Sequence, residues 1–377
     1  MPQTQSKWVE ASRPAVDRSA RAARFVFLTP LMGGADGISE MTRQWVRVVE
    51  SSVGRDAQSV EVWSLDDQTR PSRVGATSTF RTAGGGRLRF ASFALTDGLL
   101  PAADTIVVVM HLQLLPVALP LIWRGARLVT ILMGIEAWTP LSALQRAAIR
   151  RAWKVIAIST HTAVRFRIAN PWIEEMPITV CHPGVPPRPR VAAAPFEGRY
   201  ALIVGRMDSR ERYKGHDTLI ELWPAVRRTI SDAQLIVVGD GDDAARLRQK
   251  AADTCDAITF LGRVDEPTLA ALYRDAALFV MPSSDEGFGL VFLEAMRAST
   301  PCIAAFGAAE EIITDGHNGL IVDADDDNEL VGAIVHLFAD RQTRMRMGAA
   351  AAQLVNAQFD EAALKRRVCA ALELGNV

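Results

Sequence analysis

Arg24-Phe25-Val26-Phe27-Leu28-Thr29 runs straight into Pro30-Leu31-Met32-Gly33-Gly34-Ala35-Asp36-Gly37, and residues 38–49 beyond it repeat their apolar side chains at helical spacing. An apolar run of strand length, a glycine loop and a helix, in that order, open a parallel sheet whose crossovers are helices. Further apolar strand candidates follow at 60–63, 106–110, 128–132, 155–158 and 178–181, separated by helical or loop stretches. These runs are apolar throughout rather than alternating, so both faces of the sheet need cover. The proline-rich stretch His182-Pro183-Gly184-Val185-Pro186-Pro187-Arg188-Pro189-Arg190 can continue neither strand nor helix and reads as a linker. A second series then starts, with strand candidates at 200–204, 234–238, 258–260, 278–281, 302–305 and 319–322. The expected fold is α/β, two Rossmann-like domains in tandem with a cleft between them.

Bulk properties agree. At 377 residues the chain exceeds one ordinary core, and 49% hydrophobic with 23% charged residues excludes a disordered or fibrous class. Cys181, Cys255, Cys302 and Cys369 lie far apart with no C-x-x-C pair, which argues against a zinc knuckle or disulfide framework and fits a reducing cytosol. The first residues are polar, with Arg13, Arg18 and Arg21 and no apolar signal segment, so 1–22 is expected to be a flexible tail. Residues 105–123 have the length of a membrane span, but His111, Gln113, Pro116 and Pro120 favour a buried strand followed by a helix. Charge divides unevenly: residues 1–184 hold 21 Lys+Arg against 14 Asp+Glu. A basic first half attracts an anionic acceptor or membrane surface, although scattered solvated arginines give the same count.

The densest chemistry lies in Pro282-Ser283-Ser284-Asp285-Glu286-Gly287-Phe288-Gly289-Leu290-Val291-Phe292-Leu293-Glu294-Ala295-Met296, which follows a strand and opens a helix. At such a junction glycines let backbone N–H groups approach a phosphate at the positive helix end. A tight turn with structural glycines fits the same text. Glu286 and Glu294 are unsuited to act as a retaining hydrolase pair, because eight residues of helix rise about 12 Å where such a pair needs about 5 Å. They are read as holding separate parts of one ligand, a sugar and a ribose. Across the cleft, Gly205-Arg206-Met207-Asp208 and Tyr213-Lys214-Gly215-His216-Asp217 put an arginine fork and a lysine point charge just beyond a strand, a combination that suits a diphosphate. Local salt bridges to Asp208 or Glu211 are the plainer account of the same residues.

Glu286 and Glu294 are separated by seven residues, and the run around them resembles the E-x7-E signature of family 4 retaining glycosyltransferases. The likeness extends to Gly205-Arg206-Met207, to Phe260-Leu261-Gly262-Arg263-Val264, and to Ile312-Ile313-Thr314-Asp315-Gly316-His317-Asn318-Gly319-Leu320-Ile321-Val322. It is close over 200–355 and holds only in outline before that, through Gly37-Ile38 and Met133-Gly134-Ile135-Glu136-Ala137-Trp138. The resemblance implies a GT-B fold, with an acceptor-binding domain at 23–186, a donor-binding domain at 187–355, and a helix at 356–377 returning to the first domain. It implies that Arg206 and Lys214 bind the donor diphosphate with Gly37 against it, and that Glu286 holds the transferred sugar. Glu294 would hold the ribose, Gly287, Phe288, Gly289, Leu290 and Val291 would meet sugar and phosphate, and Gly262, Val264 and Glu266 would meet the base. Same-face attack, with the leaving phosphate taking the acceptor proton, comes from the same source.

Two departures stand out. Met133-Gly134 replaces the His-Gly that relatives often carry, which leaves His111 as the candidate imidazole, and Gly307-Ala308-Ala309-Glu310-Glu311 keeps Glu311 in register while losing a proline. No D-x-D or histidine cluster suggests a metal, so none is expected, nor any other cofactor. On the acceptor side, a helix read over 141–155 would align Arg146, Arg150 and Lys154 into a basic stripe, either a solvated face or a contact for an anionic membrane. The expected activity is retaining transfer of a hexose from a UDP- or GDP-sugar to a glycan, glycolipid or lipid-linked acceptor in bacterial polysaccharide or glycoconjugate synthesis. Its expected place is the cytoplasm or the inner membrane face, with no nucleic-acid partner. The rivals are a non-catalytic nucleotide-sugar-binding module, an enzyme with a soluble acceptor, and a dehydrogenase, the last disfavoured because no G-x-G-x-x-G follows the first strand.

Overall fold

The structure, a computed structural model, describes residues 24–374 except 35, 54–58, 73–76, 98–101, 174, 186–192, 194, 195 and 197. The tail expected at 1–22 and most of the proline-rich linker lie outside the described residues. Two parallel sheets form two domains.

The first domain runs β1 (Arg24–Thr29), α1 (Gly37–Ser52), β2 (Ser59–Ser64), β3 (Thr79–Thr82), α2 (Arg87–Asp97), β4 (Thr105–Val109), α3 (Leu115–Trp123), β5 (Arg127–Leu132), α4 (Ala143–Ile149), β6 (Ala152–Ala157), α5 (Thr160–Ala169) and β7 (Ile178–Val180). Its strand order is β3-β2-β1-β4-β5-β6-β7. β1 pairs with both β2 and β4, Phe25 lying opposite Val60 on one side and Ile106 on the other. β4 is buried at every position, as a central strand covered on both faces must be. α1 starts at Asp36, whose carboxylate accepts the Ser39 N–H at 3.0 Å, and buries Trp45, Val46 and Val49 in the core.

The second domain runs β8 (Tyr200–Val204), α6 (His216–Thr229), β9 (Gln234–Val238), α7 (Ala244–Thr254), β10 (Ile258–Gly262), α8 (Glu266–Asp275), β11 (Leu278–Met281), α9 (Leu290–Arg297), β12 (Cys302–Ala305), β13 (Gly319–Val322), α10 (Asp327–Ala339) and α11 (Arg341–Gln358), and the chain then closes with α12 (Glu361–Ala371). The sheet order is β10-β9-β8-β11-β12-β13. α12 leaves this domain and lies against α1, with Ser52 Oγ 3.3 Å from Cys369 Sγ.

One sequence expectation needs correction and two hold. The segment 105–123 is β4 followed by α3, the strand and helix expected of it, and among the described residues no helix is long and apolar enough to cross a membrane. The helix read over 141–155 ends at Ile149, because Trp153-Lys154-Val155-Ile156 pairs in β6. Lys154 is therefore on a strand, bound to Glu373 at 2.8 Å, while the guanidinium groups of Arg146 and Arg150 lie over Trp172, and the three do not share a helical face. The returning helix expected at 356–377 is α12, begun at Asp360, whose carboxylate accepts the Ala363 N–H at 2.7 Å, while residues 356–358 still belong to α11.

Candidate functional site

Where strand order reverses in an open parallel sheet, the loops at the carboxyl ends of two neighbouring strands part to opposite faces and leave a crevice that takes ligands. The first sheet reverses between β1 and β4, the second between β8 and β11. The loops leaving these four strands carry Gly37, His111, Arg206 with Lys214, and Glu286 through Gly289. The two crevices meet: a methyl group on Gly37, the first residue of α1, would lie 3.9 Å from Leu290 Cδ1, the first residue of α9. Two helix N-termini, whose first N–H groups have no intrahelical acceptor and which carry partial positive charge, thus approach from opposite domains.

Neither loop is free to move alone. Asp67 accepts the N–H groups of Met32 at 2.7 Å and Gly33 at 3.0 Å. The buried guanidinium of Arg43 donates to the carbonyls of Met32 at 2.6 Å and Gly34 at 2.7 Å. In the second domain Lys214 Nζ donates to Glu286 Oε1 at 2.8 Å, and both side chains are largely buried. Arg206 forks onto Glu211 through Nε, at 3.2 Å, and Nη2. Arg206 thus makes the local salt bridge to Glu211 that the sequence allowed, and Lys214 pairs instead with Glu286. Ser284 N–H donates to the Tyr213 carbonyl at 3.2 Å, tying the Arg206–Lys214 loop to the Glu286 loop.

The turn into α9 depends on two glycines. Gly289 is left-handed at φ 89°, and a Cβ there would come 2.5 Å from Phe292 Cδ2. Gly287 packs on the first domain: a Cβ would meet Met133 O at 2.7 Å and Gly134 Cα at 2.9 Å. Its carbonyl accepts the hydroxyls of Ser159 at 2.6 Å and Thr162 at 3.1 Å. The N–H groups of Leu290 and Val291 fall in the first turn of α9, which offers them no intrahelical acceptor. Phe288 stacks on His182 at 5.4 Å.

Glu294 sits one turn into α9, accepts the Tyr273 hydroxyl at 2.9 Å, and is pushed above the ordinary carboxyl range by burial. Glu286 belongs to the loop before α9, so the two glutamates are not spaced by eight residues of continuous helix. Gly262, Val264 and Glu266 lie at the end of β10, two strands beyond β8 on the side away from β11, at the outer end of the same cleft. His111 follows β4 at the first sheet's reversal point. Its Nδ1 accepts the Gln113 N–H at 3.2 Å, which leaves Nε2 to carry the proton, and burial lowers its pKa.

Sequence reasoning missed the parts played by Arg43, Asp67, Ser159 and Glu136. Glu136 lies beside Met133, accepts its N–H at 2.7 Å, and is raised in pKa by burial. Among the described residues no three His, Cys, Asp or Glu side chains converge as metal ligands would. The arrangement offers cationic and N–H donors for a diphosphate, with a carboxylate beside them for hydroxyl groups.

Residues 198–340 match the family model of glycosyl transferases group 1. The chain is 37% identical over 169 residues to the phosphatidyl-myo-inositol mannosyltransferase of Mycobacterium leprae, covering 44% of each chain. It is 32% identical over 260 residues to a GDP-mannose-dependent alpha-(1-6)-phosphatidylinositol monomannoside mannosyltransferase of Mycobacterium tuberculosis, covering 62% of this chain and 66% of that one. The matched stretches thus span from under half to just under two thirds of those relatives. In fold, the chain is similar to sucrose-phosphate synthase from Thermosynechococcus elongatus, with TM-score 0.76 at 21% identity over 93% of this chain and 98% of that one. It is also similar to Anabaena HepE in complex with UDP and glucose, with TM-score 0.74 at 20% identity over 93% and 99% of the two chains.

Proposed function

The second domain belongs to the glycosyl transferases group 1 family and the whole chain has the GT-B fold, and from that premise we propose that the protein transfers a hexose from a nucleotide sugar to an inositol-phosphate glycolipid. The observation that carries the reading is the meeting of the two crevices, where the first residues of α1 and α9 come together and the loop before α9 holds Glu286 paired with Lys214. The names of the relatives favour GDP-mannose as donor and a phosphatidylinositol lipid as acceptor. A D-inositol 3-phosphate glycosyltransferase of Pseudarthrobacter chlorophenolicus, 37% identical over 160 residues, favours the same headgroup free of lipid as the second reading.

In this proposal the diphosphate lies between the helix ends. Arg206 turns its outer face to one phosphate, and Lys214 is shared between the other phosphate and Glu286. Glu286 accepts hydroxyls of the sugar, and Glu294, with one oxygen engaged by Tyr273, accepts from the ribose. The bond from C1 to the phosphate oxygen breaks as the acceptor oxygen closes on the same face, and the proton passes to the departing phosphate. Charge growing on that phosphate is met by Arg206, Lys214 and the two helix ends, donors of a kind that lower a barrier by about 3–4 kcal/mol each. The transfer therefore needs no metal and retains configuration.

The test is a thermal-shift comparison of GDP, UDP, GDP-mannose and UDP-glucose, followed by nucleotide release with phosphatidylinositol vesicles or free inositol phosphate. GDP-mannose at about 100 times its Kd stabilises the fold by about 2.7 kcal/mol. The reading fails if none of the four nucleotides shifts the melting curve.

A further inference from the structure

The N-terminus of α5 belongs to the first domain, yet the second domain supplies part of its cap. Glu311 ends the 3-10 turn Ala308–Glu311 and accepts the backbone N–H groups of Thr160 at 2.9 Å and His161 at 2.7 Å. Its Oε2 also lies 2.8 Å from His182 Nε2, in the segment that leads out of the first domain. One residue before α5, Ser159 Oγ accepts the Thr162 N–H at 2.9 Å and donates to the Gly287 carbonyl at 2.6 Å. A single helix end thus receives both a carboxylate and a carbonyl from across the cleft. Unpaired N–H groups and the helix dipole favour an anion at that end, and a charge-assisted pair is stronger than a neutral one.

Geometry ties this contact to the reacting groups. Gly287 is next in the chain to Glu286, and Phe288 stacks on the same His182 that meets Glu311. Glu311 itself is turned toward the first domain with both oxygens engaged there, so it is not placed to hold substrate. When the domains part, Glu311 loses its N–H donors and the Gly287 carbonyl loses its hydroxyls together.

We propose that Glu311 is a positioning residue for sugar transfer: by capping α5 from the opposite domain it latches the cleft and fixes the Glu286–Phe288 loop against the Met133–Gly134 turn. The proposal rests on Glu286 holding the transferred sugar.

Two variants approach the contact from opposite sides. Glu311→Ala removes the carboxylate. Thr160→Pro removes one N–H donor at the first position of α5, where proline is tolerated, and Ser159 before it is already extended at φ −152° and ψ 158°. Since misplacing a reacting group by about 1 Å costs about 100-fold, Glu311→Ala should lower kcat about 10- to 100-fold and Thr160→Pro about 3- to 10-fold. Nucleotide affinity, set mainly by Arg206, Lys214 and Glu294 of the second domain, should fall far less than kcat in both. Combined, the two should cost little more than Glu311→Ala alone, because they break one contact. Amide exchange of the first turn of α5, followed by mass spectrometry with nucleotide bound, should quicken in Glu311→Ala.

A residue that only supports the fold would lower the melting temperature and leave kcat alone, and that result overturns the proposal. So does unchanged amide exchange, or a fall in nucleotide affinity equal to the fall in kcat. If the wild type turns over no donor, the functional reading fails with it. The exchange measurement still decides the latch: faster exchange in the variant supports the cap across the cleft, and equal exchange rejects it.

Discussion

Gly287→Ala adds one methyl group to the seam between the domains. Gly287 is not among the residues with positive φ, so alanine can adopt the local backbone, and the effect lies in the contact. The new Cβ would stand 2.7 Å from Met133 O and 2.9 Å from Gly134 Cα, both backbone atoms that no side-chain rotation can move aside. Reaching an ordinary contact of about 3.4 Å requires the two surfaces to part by roughly 0.7 Å, since packed interiors have little slack. The Ser159 hydroxyl bond to the Gly287 carbonyl, now 2.6 Å, stretches to about 3.3 Å, past the usual range for O–H donors. Glu286 moves with its neighbour. A displacement near 1 Å costs about 100-fold, so kcat should fall between about 10- and 100-fold. Most of the groups that would hold the nucleotide, Arg206, Lys214, Glu294 and the start of α9, lie on the second domain, and only the end of α1 reaches it from the first, so its Kd should change far less than kcat. Steady-state nucleotide release at saturating donor, paired with calorimetric titration of the nucleotide, gives both numbers. A kcat within twofold of wild type refutes the idea that this close approach sets the reacting geometry, and an equal loss of nucleotide affinity refutes the division of labour between the domains.

Glu286→Gln should reduce transfer far more than nucleotide binding, because its proposed partner is the sugar; calorimetry showing an equal loss of both would remove the assignment. Activity should survive EDTA, with phosphate charge met by Arg206, Lys214 and the helix ends, and restoration of a lost rate by Mg²⁺ or Mn²⁺ would contradict this. His216 is buried and burial pushes its pKa down from 6.5 to about 4. The unfolded chain therefore binds this proton first, and the neutral imidazole's stability contribution, complete above pH 6.5, is lost as pH falls toward 4. The loss is about 3 kcal/mol, so the stability gap between wild type and His216→Asn in urea melts should narrow by that order from about pH 7 to about pH 4. A gap constant with pH contradicts it.

Most of the fold was legible because the strands are short apolar runs buried on both faces. β3 escaped: Thr79-Phe80-Arg81-Thr82 is a polar edge strand with no apolar run. The 141–155 helix was overextended because basic residues at helical spacing continued through Arg150, while β-branched Val155 and Ile156 beyond them pair with β5. The candidate donor groups were legible because they follow strand ends next to glycines. The seam was not. Ser159 meets Gly287 from 128 residues away and Glu311 meets His161 from 150, and neither pair leaves a local pattern that spacing can detect. Glu211 was near enough to be weighed as a salt-bridge partner of Arg206, and the fork between them bears out that plainer account without displacing the other.

The central claim is transfer of a hexose from a nucleotide sugar, and the product itself tests it most directly. The purified chain is incubated with GDP-mannose and phosphatidylinositol vesicles in EDTA, and the lipid fraction is read by mass spectrometry and the anomeric proton signals by NMR. The account predicts a lipid heavier by one hexose, joined in the configuration of the donor, with one GDP released for each sugar moved. Inverted configuration would contradict the same-face mechanism, and no glycosylated product with any nucleotide sugar or inositol-phosphate acceptor would contradict the claim as a whole.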